Sequence, residues 1–178
     1  MKKLILGILS LAVIGIAVLF VVNGKSTYDP SKFSLTIEPE SKPFGEDSTI
    51  SFVLPDQFGK PHTLSKDTER LIFVFTKQTG HTFKSYMSDK PKGFLSDRKT
   101  VAIADISGMP TVIVNTFALP DFRKSSYTIL LIYDKDMAKR LKEDQNTDKI
   151  VIMNIKENRV VDIEYAQNEK ELGEILER

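Results

Sequence analysis

Leu71-Ile72-Phe73-Val74-Phe75-Thr76-Lys77-Gln78-Thr79-Gly80-His81-Thr82-Phe83 is the stretch that decides the fold. Its first five residues are apolar without interruption, rich in β-branched and aromatic side chains, and too few for a buried helix. They read as a central strand covered on both faces. The polar residues that follow open a helix near Thr79 to Thr82, either threonine serving as the cap, and the helix ends before Pro91. A doubly buried strand passing straight into a helix is half of a parallel crossover, so further buried strands must lie downstream.

Val101 to Ile106 and Tyr127 to Tyr133 supply them. Between them, Pro110 to Leu119 carries two signals. Its valines and isoleucine favour a strand, whereas Ser107 followed by Pro110 resembles a helix entry. The need for a crossover between parallel strands tips the reading to helix. Asp134 then caps a helix with Met137 and Leu141 four apart on one face. Ile150 to Ile155 and Arg159 to Tyr165 flank the polar turn Lys156-Glu157-Asn158 and form an antiparallel hairpin. Asn168, with Glu171 three residues on, gives an N-cap and capping box for a last helix burying Leu172, Ile175 and Leu176. Upstream, Thr49 to Leu54 is a strand stopped by Pro55-Asp56, with a turn near Phe58-Gly59-Lys60. The expected fold class is α/β, a mixed sheet flanked by helices over residues 48–178.

The chain ahead of this body divides in three. Residues 23–47 are polar, carry Pro30, Pro39 and Pro43, and read as a tether, with the alternating Lys32 to Ile37 as a short strand inside it. Leu4 to Val22 is an unbroken run without charge or proline. As a helix it spans roughly 28 Å, close to the hydrocarbon thickness of a bilayer. Residues 4–22 therefore read as one N-terminal transmembrane helix, and Lys2 and Lys3 keep residues 1–3 cytoplasmic. A cleaved signal peptide is the alternative, but it calls for a shorter apolar core and an A-x-A-like site, which Val21-Val22-Asn23-Gly24-Lys25 does not offer.

Lys and Arg total 25 against 24 Asp and Glu. Setting Lys2 and Lys3 aside leaves 23 against 24, so the exported part is close to neutral. That argues against nucleic-acid binding, which wants a basic excess, and against a polybasic lipid-surface role. There is no cysteine. The core must hold without disulfides, and thiol–disulfide exchange, thiol peroxidase chemistry and thiolate metal binding are all excluded.

Phe52-Val53-Leu54-Pro55-Asp56-Gln57-Phe58-Gly59-Lys60-Pro61-His62-Thr63-Leu64 resembles the opening strand and turn of thioredoxin-like domains of the peroxiredoxin type. Leu71 to Thr76 resembles the strand that enters their active-site helix. Tyr127 to Leu141 and Ile150 to Val161 resemble their later strand, helix and closing hairpin. The likeness covers roughly Ser48 to Glu177 and implies a thioredoxin-like sheet. The departures are as informative. The family's CxxC or peroxidatic cysteine belongs after Phe75, where this chain reads Thr76-Lys77-Gln78-Thr79-Gly80-His81-Thr82-Phe83. Its cis-proline belongs before the hairpin, where this chain reads Asn146-Thr147-Asp148-Lys149. Both halves of the redox site are absent, so the family's activity does not carry over.

The candidate site is accordingly Gln78, Thr79, Gly80, His81 and Thr82, at the place where the family performs its chemistry. A helix start there presents open N–H groups and the positive dipole end, suited to an anion or a peptide carboxylate. The competing reading is structural: one threonine caps the helix and His81 is solvated. Asp105, at the end of a predicted strand, is the carboxylate that would orient His81 as a base. His62 and His81 have no partner at metal-ligand spacing, and His62 is expected to be exposed in its turn. Asp134-Lys135-Asp136 near Glu143-Asp144 lacks the glycine and spacing of a calcium loop. No cofactor or metal is expected. Phe117 to Arg123 reads as an apolar loop, packed under a connection or exposed as a partner patch.

The expectation for the whole is a redox-inactive, thioredoxin-like domain acting as a binding or assembly module for an envelope protein partner. It would sit single-pass in the cytoplasmic (inner) membrane, anchored in the lipid bilayer through residues 4–22, with its C-terminal domain periplasmic. The rivals are a cysteine-independent enzyme using the cleft near His81, and a structural subunit of a membrane complex.

Overall fold

A computed structural model describes residues 24–178. The expected cytoplasmic and transmembrane segments, 1–3 and 4–22, lie outside the described residues. Among those described, no helix is long and apolar enough to cross a membrane. In chain order the elements are β1 (Ser34–Glu38), β2 (Thr49–Pro55), β3 (Pro61–Thr63), β4 (Arg70–Val74), α1 (Lys77–Met87) and β5 (Thr100–Asp105). There follow α2 (residues 111–122), β6 (Ile129–Ile132), α3 (Lys135–Lys142), β7 (Ile150–Lys156), β8 (Arg159–Ala166) and α4 (Glu169–Leu176).

The strands form one mixed sheet in the order β1-β2-β8-β7-β4-β5-β6, with β3 hydrogen-bonded to β2. β4, β5 and β6 run parallel, and β7 is antiparallel to β4 and to β8. The apolar run that opened the reading is indeed central: Leu71, Ile72 and Phe73 are fully buried. Alternate residues of β4 serve opposite faces. Ile72 and Val74 pack with Phe83 of α1 and Leu172 and Ile175 of α4. Leu71 and Phe73 pack with Leu141 of α3 and with Ile50, Phe52 and Leu54 of β2.

β2 sits on that second face because it crosses the sheet. At its start Thr49 pairs with Arg159 of β8, the Ile50 N–H donates to the Asn158 carbonyl, and the Val160 N–H donates to the Ser48 carbonyl. Just past its end, Asp56 bridges to Leu130 of β6, at the far edge of the sheet. The buried Gln57 fixes the far end. Its amide donates to the Tyr127 carbonyl at 2.9 Å and accepts from the Ile129 N–H at 3.1 Å.

Three expectations change. The stretch 23–47 is not only a tether: β1 pairs with β2 along its whole length, and Ile37 and Phe44 are core residues. Phe44 packs edge-on to Phe73, ring centroids 6.2 Å apart. The prolines mark turns between packed pieces, and the alternation in Lys32 to Ile37 was the true signal. Tyr28 stacks between Phe33 (5.3 Å) and Tyr133 (4.6 Å), and the Asn115 side chain donates to the Lys25 carbonyl at 3.0 Å. Helix α1 starts earlier than Thr79, at Lys77, with Thr76 as its cap. His62 is not free in its turn, as the next section shows.

The helical reading of Pro110 to Leu119 is met by α2. Its middle, Val114–Ala118, is a π turn in which the Leu119 N–H reaches back to the Val114 carbonyl. Pro120 follows, and a proline has no N–H and crowds the carbonyl four residues back; the wider turn relieves that crowding. The closing hairpin turns at Glu157 and Asn158, both at positive φ. Asn168 caps α4, accepting the Glu171 N–H at 3.0 Å, while Glu171 returns to the Gln167 N–H at 2.8 Å, one residue earlier than the usual box.

Candidate functional site

The parallel strands β4 and β5 end side by side, and α1 and α2 leave from those ends on the same face. Ligands in open α/β sheets bind at such strand ends. Here the two helices part to leave a cavity of about 700 Å³. One wall is α1, presenting Thr76, Lys77, Gly80, His81 and Lys84. The other is α2 and its entry, presenting Met109, Ile113, Phe117 and Asp121. Phe83 and Tyr127 form the floor, edge-on at 5.6 Å. Burial pushes the Tyr127 phenol up from its ordinary value, so the floor carries no charge at neutral pH.

The mouth is apolar. Of the five large hydrophobic side chains most exposed among the described residues, three stand here: Met109 (38%), Ile113 (40%) and Phe117 (64%). Ile113 and Phe117 lie four apart on α2 and so share a face. Two ion pairs border the cleft. Lys84 of α1 reaches both carboxylate oxygens of Asp121 on α2 at 2.7 Å, linking the walls. Lys142 of α3 pairs with the buried carboxylate of Asp105, which also accepts the Ser107 N–H at 2.8 Å.

The five residues singled out from sequence divide. Gly80 and His81 line the cleft. Gln78 and Thr82 do not. Thr79 is buried and committed to the helix start. Its N–H donates to Thr76 Oγ1 at 3.2 Å, its Oγ1 accepts the Thr76 N–H at 3.1 Å, and the same hydroxyl donates to the Thr76 carbonyl at 3.0 Å. This is a reciprocal capping box, so Thr79 has nothing left for a ligand. His81 is exposed and has no hydrogen-bond partner among the described residues. Asp105 lines the same cavity but is engaged by Lys142.

The sequence reading placed a helix at Pro110 to Leu119 but not its part as a wall of the cleft. Phe117 to Arg123 was expected as a loop, buried or exposed; it is helical and does both. Leu119 is in the core, while Phe117 stands at the mouth. The mixed strand-and-helix signal of Pro110 to Leu119 was the available clue, since a helix with apolar residues on two faces loses its clean periodicity.

Behind the strands' other ends is a second cavity of about 480 Å³, lined in part by His62, Thr68, Lys92 and Lys99. His62 Nε2 lies 2.9 Å from Asp56 Oδ2, so this histidine braces the β2–β3 hairpin. Among the described residues no cluster of His, Cys, Asp and Glu is arranged to hold a metal ion. Among the described residues the cis peptide is Glu38–Pro39, just after β1 and not before the closing hairpin.

No protein-family model matches the chain, and no curated protein matches it. Solved structures do. A DsbE-type thiol:disulfide interchange protein of Chlorobium tepidum superposes with a TM-score of 0.50 at 16% identity, covering 76% of this chain and 94% of its own. Peroxidoxin BcpB of Mycobacterium tuberculosis gives 0.49 at 16% identity, with 76% and 96% covered. The thioredoxin domain of a Bacteroides vulgatus thiol-disulfide oxidoreductase gives 0.48 at 16% identity, with 75% and 96% covered. The chain has the thioredoxin-like fold, and it has that fold without a single cysteine.

Proposed function

We propose that this chain is a membrane-anchored, redox-inactive thioredoxin-like domain serving as a binding or assembly module in the cell envelope. Its α1–α2 cleft holds an extended, partly apolar segment of an envelope protein partner. The anchor is residues 4–22 and the domain stands on the periplasmic side of the inner membrane. One observation carries the reading: a deep apolar cleft stands at the strand ends of a thioredoxin-like sheet in a chain that has no thiol. Without sulfur there is no exchange chemistry to perform in that cleft, and binding is what its walls still offer.

The two rivals fare less well on particular observations. An enzyme using His81 as base needs a carboxylate to orient it. Asp105 is taken by Lys142 and the Ser107 N–H, and His81 stands alone at the rim. A structural subunit needs a broad apolar patch away from the cleft. The other two exposed large hydrophobics, Phe58 and Val161, stand singly on the β2–β3 turn and on β8.

A photoreactive residue placed at position 81 of the full chain, in cells that make it, tests the reading. Discrete cross-linked adducts are expected from position 81 and not from position 161. The same adducts from both, or none from position 81, would sink it.

A further inference from the structure

We infer that the exposed apolar row at the entry of α2 and along the lip of the cleft, formed by Met109, Ile113 and Phe117, rests in the interfacial layer of the bilayer that holds the anchor. The inference depends on the anchor reading above and adds where the cleft is held. The expected hydrocarbon span ends at Val22, and Lys25 is bound to α2 itself through the Asn115 side chain at 3.0 Å. Three residues of fully extended chain cover at most about 11 Å. The Asn115 amide is therefore within about 14 Å of the point where the chain leaves the hydrocarbon, so α2 is held beside the headgroup layer, which is about 5–8 Å thick on each side.

The segment that follows this link is clamped to the body. Tyr28 is stacked on both sides, by Phe33 at 5.3 Å and by Tyr133 at 4.6 Å. Lys25 to Phe33 thus lies along the end of β6 and α2, so any freedom of the body relative to the anchor is confined to the few residues between Val22 and Lys25. Ile113 and Phe117 flank Asn115 in sequence by two residues each, and α2 is only about 10 Å across with its side chains. An apolar row on such a helix, at such a height, removes its exposed area from water by lying at the boundary between headgroups and acyl chains, as interfacial amphipathic helices do. Charge agrees with this placement. Lys135 and Lys139, at the start and in the last turn of α3, have no ion-pair partner among the described residues. Lys135 lines the depression it shares with Ser26, Thr27 and Tyr28, so it stands beside the juxtamembrane segment at headgroup level. The mouth of the cleft then opens along the membrane surface, and what enters it is presented there.

The chain contains no tryptophan, so one introduced residue is a clean reporter. Full-length Phe117→Trp, Ile113→Trp and, as a remote control, Val161→Trp would be reconstituted into phosphatidylcholine–phosphatidylglycerol vesicles with and without acyl-chain-brominated lipid. The expected result is blue-shifted emission and quenching of roughly twofold or more for Phe117→Trp and Ile113→Trp, as for a ring 5–10 Å deep. Val161→Trp is expected to emit as in water and to be indifferent to bromine. Flotation of the same vesicles at alkaline pH reads the anchor separately. If the protein floats but its α2 tryptophans behave like Val161→Trp, the inference fails and the anchor stands. Blue-shifted emission untouched by bromine assigns the row to a protein contact and overturns the inference. A chain that does not float removes the anchor and the inference together.

Discussion

Asp56 accepts from three donors at once: the Phe58 N–H at 2.8 Å, the Lys60 N–H at 2.9 Å and His62 Nε2 at 2.9 Å. Burial pushes its carboxyl up, but the His62 contact and the Lys60 and Phe58 amides outweigh it and hold the group below the usual carboxylate range. A carboxyl whose folded value is depressed stabilises the protein above its ordinary value of about 3.9 and loses that contribution as pH falls through the folded value. Asp56→Ala is expected to cost about 1–3 kcal/mol at pH 7, with a smaller gap from the parent protein at pH 3, measured by urea unfolding. An equal gap at both pH values would count against the charge. Gly80 makes a sharper pair with Gly173. A Cβ at Gly80 meets nothing within 4 Å, so Gly80→Ala is expected to gain about 0.5–1 kcal/mol of helix stability. At Gly173 the added carbon would lie 3.3 Å from Tyr86 Cε2, and thermal unfolding should show no such gain. At this scale the sequence was legible where a residue acts on its neighbours, as Asp134 and Asn168 do in capping their helices. It was silent on His62, whose partner is brought to it only by the turn of the hairpin.

Helix α2 is the element on which site and function turn, and the one with the least regular pattern. Val114 and Leu119 pack beneath it while Ile113 and Phe117 face the mouth, so apolar side chains occur around more than one face and the 3.6-residue period is blurred. By contrast β4, the closing hairpin and α4 each serve one packing role and were read directly. The start of α1 was misplaced because Thr76, Thr79 and Thr82 are spaced three apart and each is a good cap. Only the hydrogen bonds show that the first two close on each other. The Lys84–Asp121 pair spans the two walls, yet both side chains are about half exposed. Such pairs contribute little, so Asp121→Asn is expected to change unfolding free energy by no more than about 0.5 kcal/mol. A loss above about 1 kcal/mol would mark the pair as a clamp between α1 and α2.

For the molecule as a whole, the order of strands and helices could be read along the chain, but not which pieces from the N-terminal third belong to the body. Thr49 pairs with Arg159 and Phe44 packs on Phe73, contacts made by residues far apart in sequence that leave no local periodicity. Phe44→Ala tests this directly. A buried core phenylalanine costs about 3–5 kcal/mol when truncated, whereas a residue in a solvated tether costs under about 0.5 kcal/mol. The crossing of β2 has one more consequence. A terminal strand is a template for addition of a strand from another chain. Because Asp56 and Gln57 bring β2 round to bond the start of β6, that template is already partly occupied at Leu130 and Ile129 by the protein's own backbone and side chain. A guest that tried to extend the sheet at this rim, or a fibril that tried to nucleate there, would first have to displace the chain's own covering.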